Sequence, residues 1–600
     1  MTDASGIERP LPSGANAPAF GSDVIADTLR ALDIPYIALN PGASYRGLHD
    51  SLVNYLGNSA PQLLLCLHEE SAVSIAHGYA KVTGKAMAAA VHSNVGLMHA
   101  TMGIFNAWCD RMPVLVLGAT GPVDATKRRP WIDWIHTARD QGALVRPYTK
   151  WDDQPASPAA AREALMRAMW IAQTVPMGPV YVNFDAEMQE AKLAEPLVSI
   201  EAARFMPPVA IAPDPEAISK AAELLNAAKA SALLNRARNI VMLVGRTSRS
   251  EDAWIDRVDL AQAADARVIS DLKVGAGFPT SHELHLGAPS VLTPDAEGLA
   301  ALAEADVILS LDWVDLAGTL KAAKAPKAGA KVIHVSMDYQ VHNGWSMDHQ
   351  GLAPVDVLLA CDPDAAVPLL TDRMQETARL PVKRPARAEL APSAGPLTVE
   401  HLARALRDAV GGRPVCLTHL PLSWNGAWWP FRHPLDYLGS DGGGGLGAGP
   451  GITVGAALAL KGSGRLPIGI CGDGDFLMGA TALWTAAHYR IPLLVVVANN
   501  RSFYNDEVHQ ERVARMRNRP VENKWIGQRI SDPDIDLAQL AHAQGARGFG
   551  PVDDVRRLEP MLAEAIAVVA AGGIAVVDVR VEPGYTPAMT AAVSNAERKA

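Results

Sequence analysis

The sequence predicts an α/β protein of three domains, each built on a parallel sheet. Three observations carry this reading. Apolar runs of strand length recur along the chain, helical patterns stand between them, and two proline-rich stretches interrupt the alternation. At 600 residues the chain also exceeds what one hydrophobic core organises.

Taken in order, residues 1–18 are rich in Pro, Gly, Ala and Ser and read as a loose arm. The first domain is expected over 19–195, with buried strands at 36–40, 63–67, 86–91 and 114–117 and helices at 71–83 and 159–173. After Pro207-Pro208 a central Rossmann-like unit is expected over 207–375, with strands at 240–244, 267–270, 307–311 and 331–335. A Pro/Ala/Arg-rich stretch lies in a linker, 376–397. The third unit, 398–585, has strands at 466–471, 493–498 and 574–579 and a helix expected over 480–489.

Composition narrows the function classes. The chain is 49% hydrophobic and 20% charged, as globular proteins are. A net charge of −10 is small for this length and argues against nucleic acid or an anionic membrane as the partner. Cys66, Cys109, Cys361, Cys416 and Cys471 lie far apart with no zinc spacing, which suits a reducing compartment. No basic segment followed by an apolar core opens the chain, and runs such as 491–498 are too short to span a bilayer. A cytoplasmic protein is expected. The central unit lacks GxGxxG at 239–248, which weighs against a nucleotide-binding regulator.

The most informative block is Gly472-Asp473-Gly474, a spacer of 24 residues, then Asn499-Asn500. Each element closes a predicted strand, and neighbouring parallel strands end on the same edge. Asp473 and Asn500 could therefore offer oxygen ligands to one hard cation such as Mg²⁺. The glycines would let backbone and a helix N-terminus approach a diphosphate.

The first segment carries His68-Glu69-Glu70, then Ala76-His77-Gly78-Tyr79-Ala80 and Thr83-Gly84-Lys85. With the Gly-Asp-Gly…Asn-Asn block, these motifs resemble the thiamine-diphosphate enzymes of the acetolactate synthase, benzoylformate decarboxylase and pyruvate decarboxylase family. The benzoylformate decarboxylase-like members are closest in motif. The resemblance implies thiamine diphosphate and Mg²⁺ as cofactors, with pyrimidine-binding, central and diphosphate-binding domains. Glu69, nine residues before Gly78, matches the glutamate that hydrogen-bonds the aminopyrimidine; Glu70 reads as an ordinary first-turn acid. Asp473, the Asn500 side chain and the Ser502 carbonyl would hold Mg²⁺. The Gly444 carbonyl would accept from the pyrimidine amine, and Leu446 would wedge between the two rings. Gly474, Asp475 and Phe503 would complete the cofactor contacts.

For the substrate, His92 lies 23 residues after Glu69, where benzoylformate decarboxylase-like members place a catalytic histidine. In Asn40-Pro41-Gly42-Ala43-Ser44, Ala43 stands where the family has a carboxylate-contacting serine, so Ser44 substitutes or the contact is absent. Asp506 matches a proton-relay acid of pyruvate decarboxylases. His99 reads as structural. The tryptophan-rich stretch 422–434 is either an apolar substrate pocket or a subunit interface, and Arg512–Arg519 either an anion site or a solvated face. Gly118–Pro122 lacks the glutamine, and 311–315 the arginine run, of flavin-containing acetolactate synthases, so no flavin is expected. The resemblance implies a homodimer or homotetramer with the cofactor between subunits. The expected reaction is decarboxylation of a bulky or aromatic 2-oxo acid, with aldehyde release or carboligation. The alternative is a C–C lyase or carboligase, such as a 2-hydroxyacyl-CoA lyase or an acetolactate synthase-like acyl transferase.

Overall fold

The computed structural model describes residues 8–14, 17–197, 200–207, 209, 211–235, 239–341, 351–376, 380 and 396–585. Three parallel sheets follow one another along the chain. The first holds β1 (Tyr36–Leu39), β2 (Gln62–Leu65), β3 (Met87–Val91), β4 (Val114–Thr120), β5 (Asp152–Asp153) and β6 (Val180–Asp185), in the order β2-β1-β3-β4-β6-β5. The second holds β7 (Ile240–Val244), β8 (Arg267–Ser270), β9 (Val307–Leu311), β10 (Lys331–Val335) and β11 (Val357–Leu359), in the order β11-β10-β9-β7-β8. The third holds β12 (Val415–His419), β13 (Leu466–Gly472), β14 (Leu493–Asn499), β15 (Arg547–Val552) and β16 (Ile574–Arg580), in the order β12-β13-β14-β16-β15. Every residue of β3 and β14 is buried. That explains their unbroken apolar sequence, since helices cover both faces of a parallel sheet.

The first and third domains share one core, in which Ala72, Val73 and Ala76 meet Val454, Phe476 and Leu483. The contact runs between the helices Glu69–Thr83 and Ala448–Ala459. A Cβ on Gly78 would lie 2.1 Å from the Ile452 carbonyl oxygen, and one on Gly455 1.9 Å from that of Ile75. Only glycine permits this backbone approach, so Gly78 is a packing requirement.

Several expectations change. The helix expected over 71–83 starts at Glu69, because the His68 imidazole caps it by accepting from the Glu70 amide. The helix expected over 480–489 spans Ala482–His488 and is preceded by a second short one, Asp473–Gly479. Asp473 and Asp475 thus occupy a first helical turn, where the macrodipole favours acids. The arm is anchored where described: Glu8 accepts from Tyr489 and pairs with His488, and its carbonyl accepts from Asn58. Residues 1–7, 15 and 16 of that arm, and 377–379 and 381–395 of the linker, lie outside the described residues.

Two rings of the tryptophan-rich stretch pack between domains of the same chain. Trp424 and Trp429 are buried with Trp254, Leu272 and Ala276 of the central domain, and Gly426 sits against Pro289. Two domains close over these rings, and that is where the apolar area is spent. The arginines of 512–519 lie mostly on a solvated face, with Arg515 paired to Glu511.

Candidate active site

Functional side chains gather at the carboxyl edges of the first and third sheets. In the third, β13 and β14 are neighbours, with Gly472 aligned to Ala498. Asp473 and Asn500 therefore leave adjacent strand ends. The Ser502 amide joins them, donating to Asp473 Oδ2 at 3.2 Å and to Asn500 Oδ1 at 2.9 Å. Asn499 turns away and donates to Asp578 at 2.8 Å, so of the asparagine pair only Asn500 faces Asp473. Burial pushes the Asp473 carboxyl up to about 6, partly offset by backbone amides of Gly474, Arg501 and Ser502. A buried carboxylate, an amide oxygen and nearby backbone form the all-oxygen set that a hard divalent cation takes.

Next to it, the glycine loop is held by Asp475, whose Oδ1 accepts from the Gly447 amide at 2.7 Å and the Gly449 amide at 3.3 Å. Its Oδ1 thus shapes the loop, while Oδ2, against which Gly449 packs, is buried without a hydrogen-bond partner. Gly444 has a φ of +72°, its amide accepted by Asp441, and a Cβ there or at Gly472 would meet nothing within 4 Å. Leu446 is 49% exposed, standing out from the loop. Gly474 lies under the Phe503 ring.

In the first sheet, β2, β1 and β3 lie side by side. Their carboxyl ends bring Glu69, Ser44 and His92 to one edge. Glu69 is buried beside Gly96, where a Cβ would stand 2.9 Å from Oε1. Its Oε2 lies 3.1 Å from His99 Nδ1, so His99, expected to be structural, contacts the glutamate directly. Glu70 diverges from it. Burial and then Asp475 push its carboxyl upward, which sets it against its own protomer's glycine loop rather than in solvent.

Three family models match in chain order: the thiamine pyrophosphate enzyme N-terminal domain over residues 20–144, the central domain over 218–352 and the C-terminal domain over 422–579. The chain belongs to the thiamine pyrophosphate enzyme family. Benzoylformate decarboxylase of Pseudomonas aeruginosa is 27% identical over 81% of this chain and 85% of that protein. The acetolactate synthase large subunit of Lactococcus lactis is 26% identical over 92% of each. The solved 4-hydroxybenzoylformate decarboxylase of Rhodococcus jostii RHA1 shares the fold, with a TM-score of 0.76 and 23% identity over 95% of this chain and all of that one.

The residues singled out for the substrate side, Ser44 and His92, lie together. Ser44 hydrogen-bonds His92 Nδ1 at 2.8 Å, so its hydroxyl is engaged by the imidazole. Gly42 is obligatory, because a Cβ there would overlap the His92 ring. On the other side His136 meets His92 edge-on, centroids 4.7 Å apart, and Ser93 and Asn94 donate to the carbonyls of His136 and Ile135. Burial, then His136, holds the His92 imidazolium below the ordinary histidine range; Glu69 opposes this and Arg129 reinforces it. Nothing in the local pattern of 131–136 marks His136, because the pairing joins residues 44 apart. The same segment exposes Trp131 and Trp134, by 69% and 75%.

Asp506 lies exposed in the first turn of the helix Tyr504–Met516. The buried acid is Glu507, which accepts from Ser502 Oγ at 2.6 Å and from Arg529 at 3.3 Å. Glu507, in the first turn of this helix, turns back over Ser502. Among the described residues, no helix is long and apolar enough to cross a membrane.

Proposed function

We propose that this enzyme decarboxylates a 2-oxo acid, with an aromatic one favoured. Thiamine diphosphate, when bound, supplies the electron sink that cleavage beside a carbonyl needs. Asp473, Asn500 and the Ser502 carbonyl would hold it through Mg²⁺, Gly444, Leu446, Gly474 and Phe503 would line it, and Glu69 would share a proton with its pyrimidine. The observation that carries the reading is the Ser44–His92 pair beside Glu69. Ser44 fixes the imidazole, leaving Nε2 to hand a proton to, or take one from, a reacting carbon or hydroxyl. Trp131 and Trp134, next to His136, offer the apolar surface an aromatic substrate needs, and two relatives named above are benzoylformate-type decarboxylases. Asp506, on its exposed turn, is a proton relay only if substrate or a partner subunit covers it.

The same geometry supports a reading of the assembly. Glu70 lies by its own protomer's loop at Gly447, whereas Glu69 packs beside Gly96 and His99, on the helix that exposes Val95 and Met98. A second copy laid on this face would bury those side chains with Leu446 and Met478 and bring Glu69 to the partner's cofactor. A homodimer or homotetramer in the cytoplasm is the expected state.

The test supplies enzyme, thiamine diphosphate and Mg²⁺ with benzoylformate, phenylpyruvate, branched 2-oxo acids and pyruvate, and measures CO₂ and aldehyde. His92→Ala should lower the rate on the true substrate by about 10²–10⁴-fold. One observation favours a second reading: Ala43 has no hydroxyl and Ser44's is taken, so no serine of this loop is left for a substrate carboxylate. If no 2-oxo acid yields CO₂ while a 2-hydroxyacyl-CoA or acyloin is split, the enzyme is a lyase.

Two further results are expected. If neutral His92 takes the proton, the acid limb of kcat/KM lies below the ordinary histidine value of 6.5. His136→Ala or Arg129→Ala removes a group that depresses His92, so the limb moves up; a limb that stays put excludes His92 as the titrating base. The purified protein should carry no stoichiometric flavin, read from its absorption after desalting. At the carboxyl end of β7, Arg246 is already engaged by Asp338 at 3.0 Å and Asp312 at 3.6 Å.

A further inference from the structure

Two mixed clusters of imidazole and carboxylate stand out among the described residues: His68, Glu69 and His99, and His419, Cys471 and Asp475. The second is closed. All three residues are buried, Gly449 packs on both Asp475 Oδ2 and Cys471 Sγ, and burial holds the Cys471 thiol protonated well above its usual range. The first is open, since the His99 side chain is 60% exposed in the protomer.

We propose that His68, Glu69 and His99 form a transition-metal site, for Zn²⁺ in particular, separate from the Mg²⁺ site and active against it. One ligand atom from each residue already lies within 4.8 Å of the other two. His99 Nδ1 is 3.1 Å from Glu69 Oε2, and the two imidazoles lie within 17° of parallel with centroids 5.3 Å apart. Around a tetrahedral zinc with bonds of about 2.0–2.2 Å, ligand atoms stand roughly 3.3–3.5 Å apart. The cluster therefore needs shifts of about an ångström, which exposed His99 can make by rotating. His68 Nδ1 now accepts from the Glu70 amide, and a neutral imidazole has one lone pair, so ligation takes that lone pair from the helix cap and gives it to the zinc.

Donor chemistry separates the two sites. Two imidazole nitrogens and one carboxylate suit zinc, whereas Mg²⁺ prefers the all-oxygen set of Asp473, Asn500 and Ser502. Glu69 cannot at once ligate zinc and share a proton with a pyrimidine. Zinc and thiamine diphosphate therefore exclude one another, each weakening the other by the same factor. The competition, though not the site, rests on Glu69 facing the cofactor.

The experiment titrates ZnCl₂ into cofactor-free protein with Mg²⁺ present throughout, by calorimetry and by equilibrium dialysis with metal analysis. One Zn²⁺ per subunit is expected, removed by a chelator. His68→Ala and His99→Ala should each weaken it by about tenfold or more, the scale of losing a group that supports a metal site. Circular dichroism establishes that both variants fold. No zinc binding, or binding unchanged in the double variant, overturns the site. Pre-loading with thiamine diphosphate should block zinc uptake. Zinc that binds through both histidines yet ignores the cofactor leaves the site standing and overturns the competition, and with it the cofactor-facing role of Glu69.

Discussion

Glu69→Gln is expected to fold and to bind thiamine diphosphate, yet to lose turnover by about 10²–10⁴-fold or more. The amide has the same shape, so it still fits beside Gly96 and still meets His99. What it lacks is an exchangeable acid proton. Because Glu69 is buried at the first position of its helix, no water-borne carboxylate easily replaces it. Single-turnover CO₂ release and deuterium exchange at the cofactor's C2 measure the loss independently of product release. Glu70→Gln should be milder, since Glu70 faces Asp475 and the glycine loop. Near-normal exchange in Glu69→Gln with Glu70→Gln inactive would transfer the role to Glu70.

Asp473→Asn should abolish Mg²⁺-dependent cofactor binding without harming the fold. The cation would bridge the diphosphate to this carboxylate, and an amide carries no charge to hold it. Stability should move the other way. Burial raises this carboxyl from the ordinary 3.8 to about 6, so keeping it ionised at neutral pH costs the cofactor-free fold, by an amount on the order of 2–3 kcal/mol. For a carboxyl raised on folding, that cost is present above pH 6 and fades as pH falls. The uncharged amide of the Asp473→Asn variant escapes it, so Tm of the cofactor-free variant should equal or exceed that of the parent at pH 7. Calorimetry with and without a chelator reads the binding, and thermal denaturation reads the stability. Binding that ignores both the substitution and the chelator would refute the site.

Local pattern carried a good part of the fold. β8, β9 and β10 fall on the residues the apolar runs marked, because a strand buried on both faces is apolar throughout and is bounded by turn residues. Gly78 was visible as a motif letter, but its reason, two helix backbones in contact, is a property of the pair it makes with the helix carrying Gly455. The tryptophans of 424–429 show the opposite case. A run of aromatic residues states that large apolar surface will be buried, and nothing in it states against what. The central domain is the answer.

Asp473 and Asn500 could be named together because each follows a strand end, and parallel strands deliver their carboxyl ends to one edge whatever the intervening helices do; Glu69 was named from the family resemblance, nine residues before Gly78. Asp475 was legible as a residue beside the cofactor loop, but its bonds to Gly447 and Gly449 were not. The sequence by itself determined three parallel-sheet domains and the motifs of a thiamine pyrophosphate enzyme, since strand periodicity and turn chemistry are local. Only the tertiary structure decided that Ser44 grips His92, that His136 stands on its other side, that His99 reaches Glu69 and that Glu507 rather than Asp506 is buried. Each of those contacts depends on how far one loop or helix is carried over another, a distance set by packing across the sheet edge and written in no single segment of the chain.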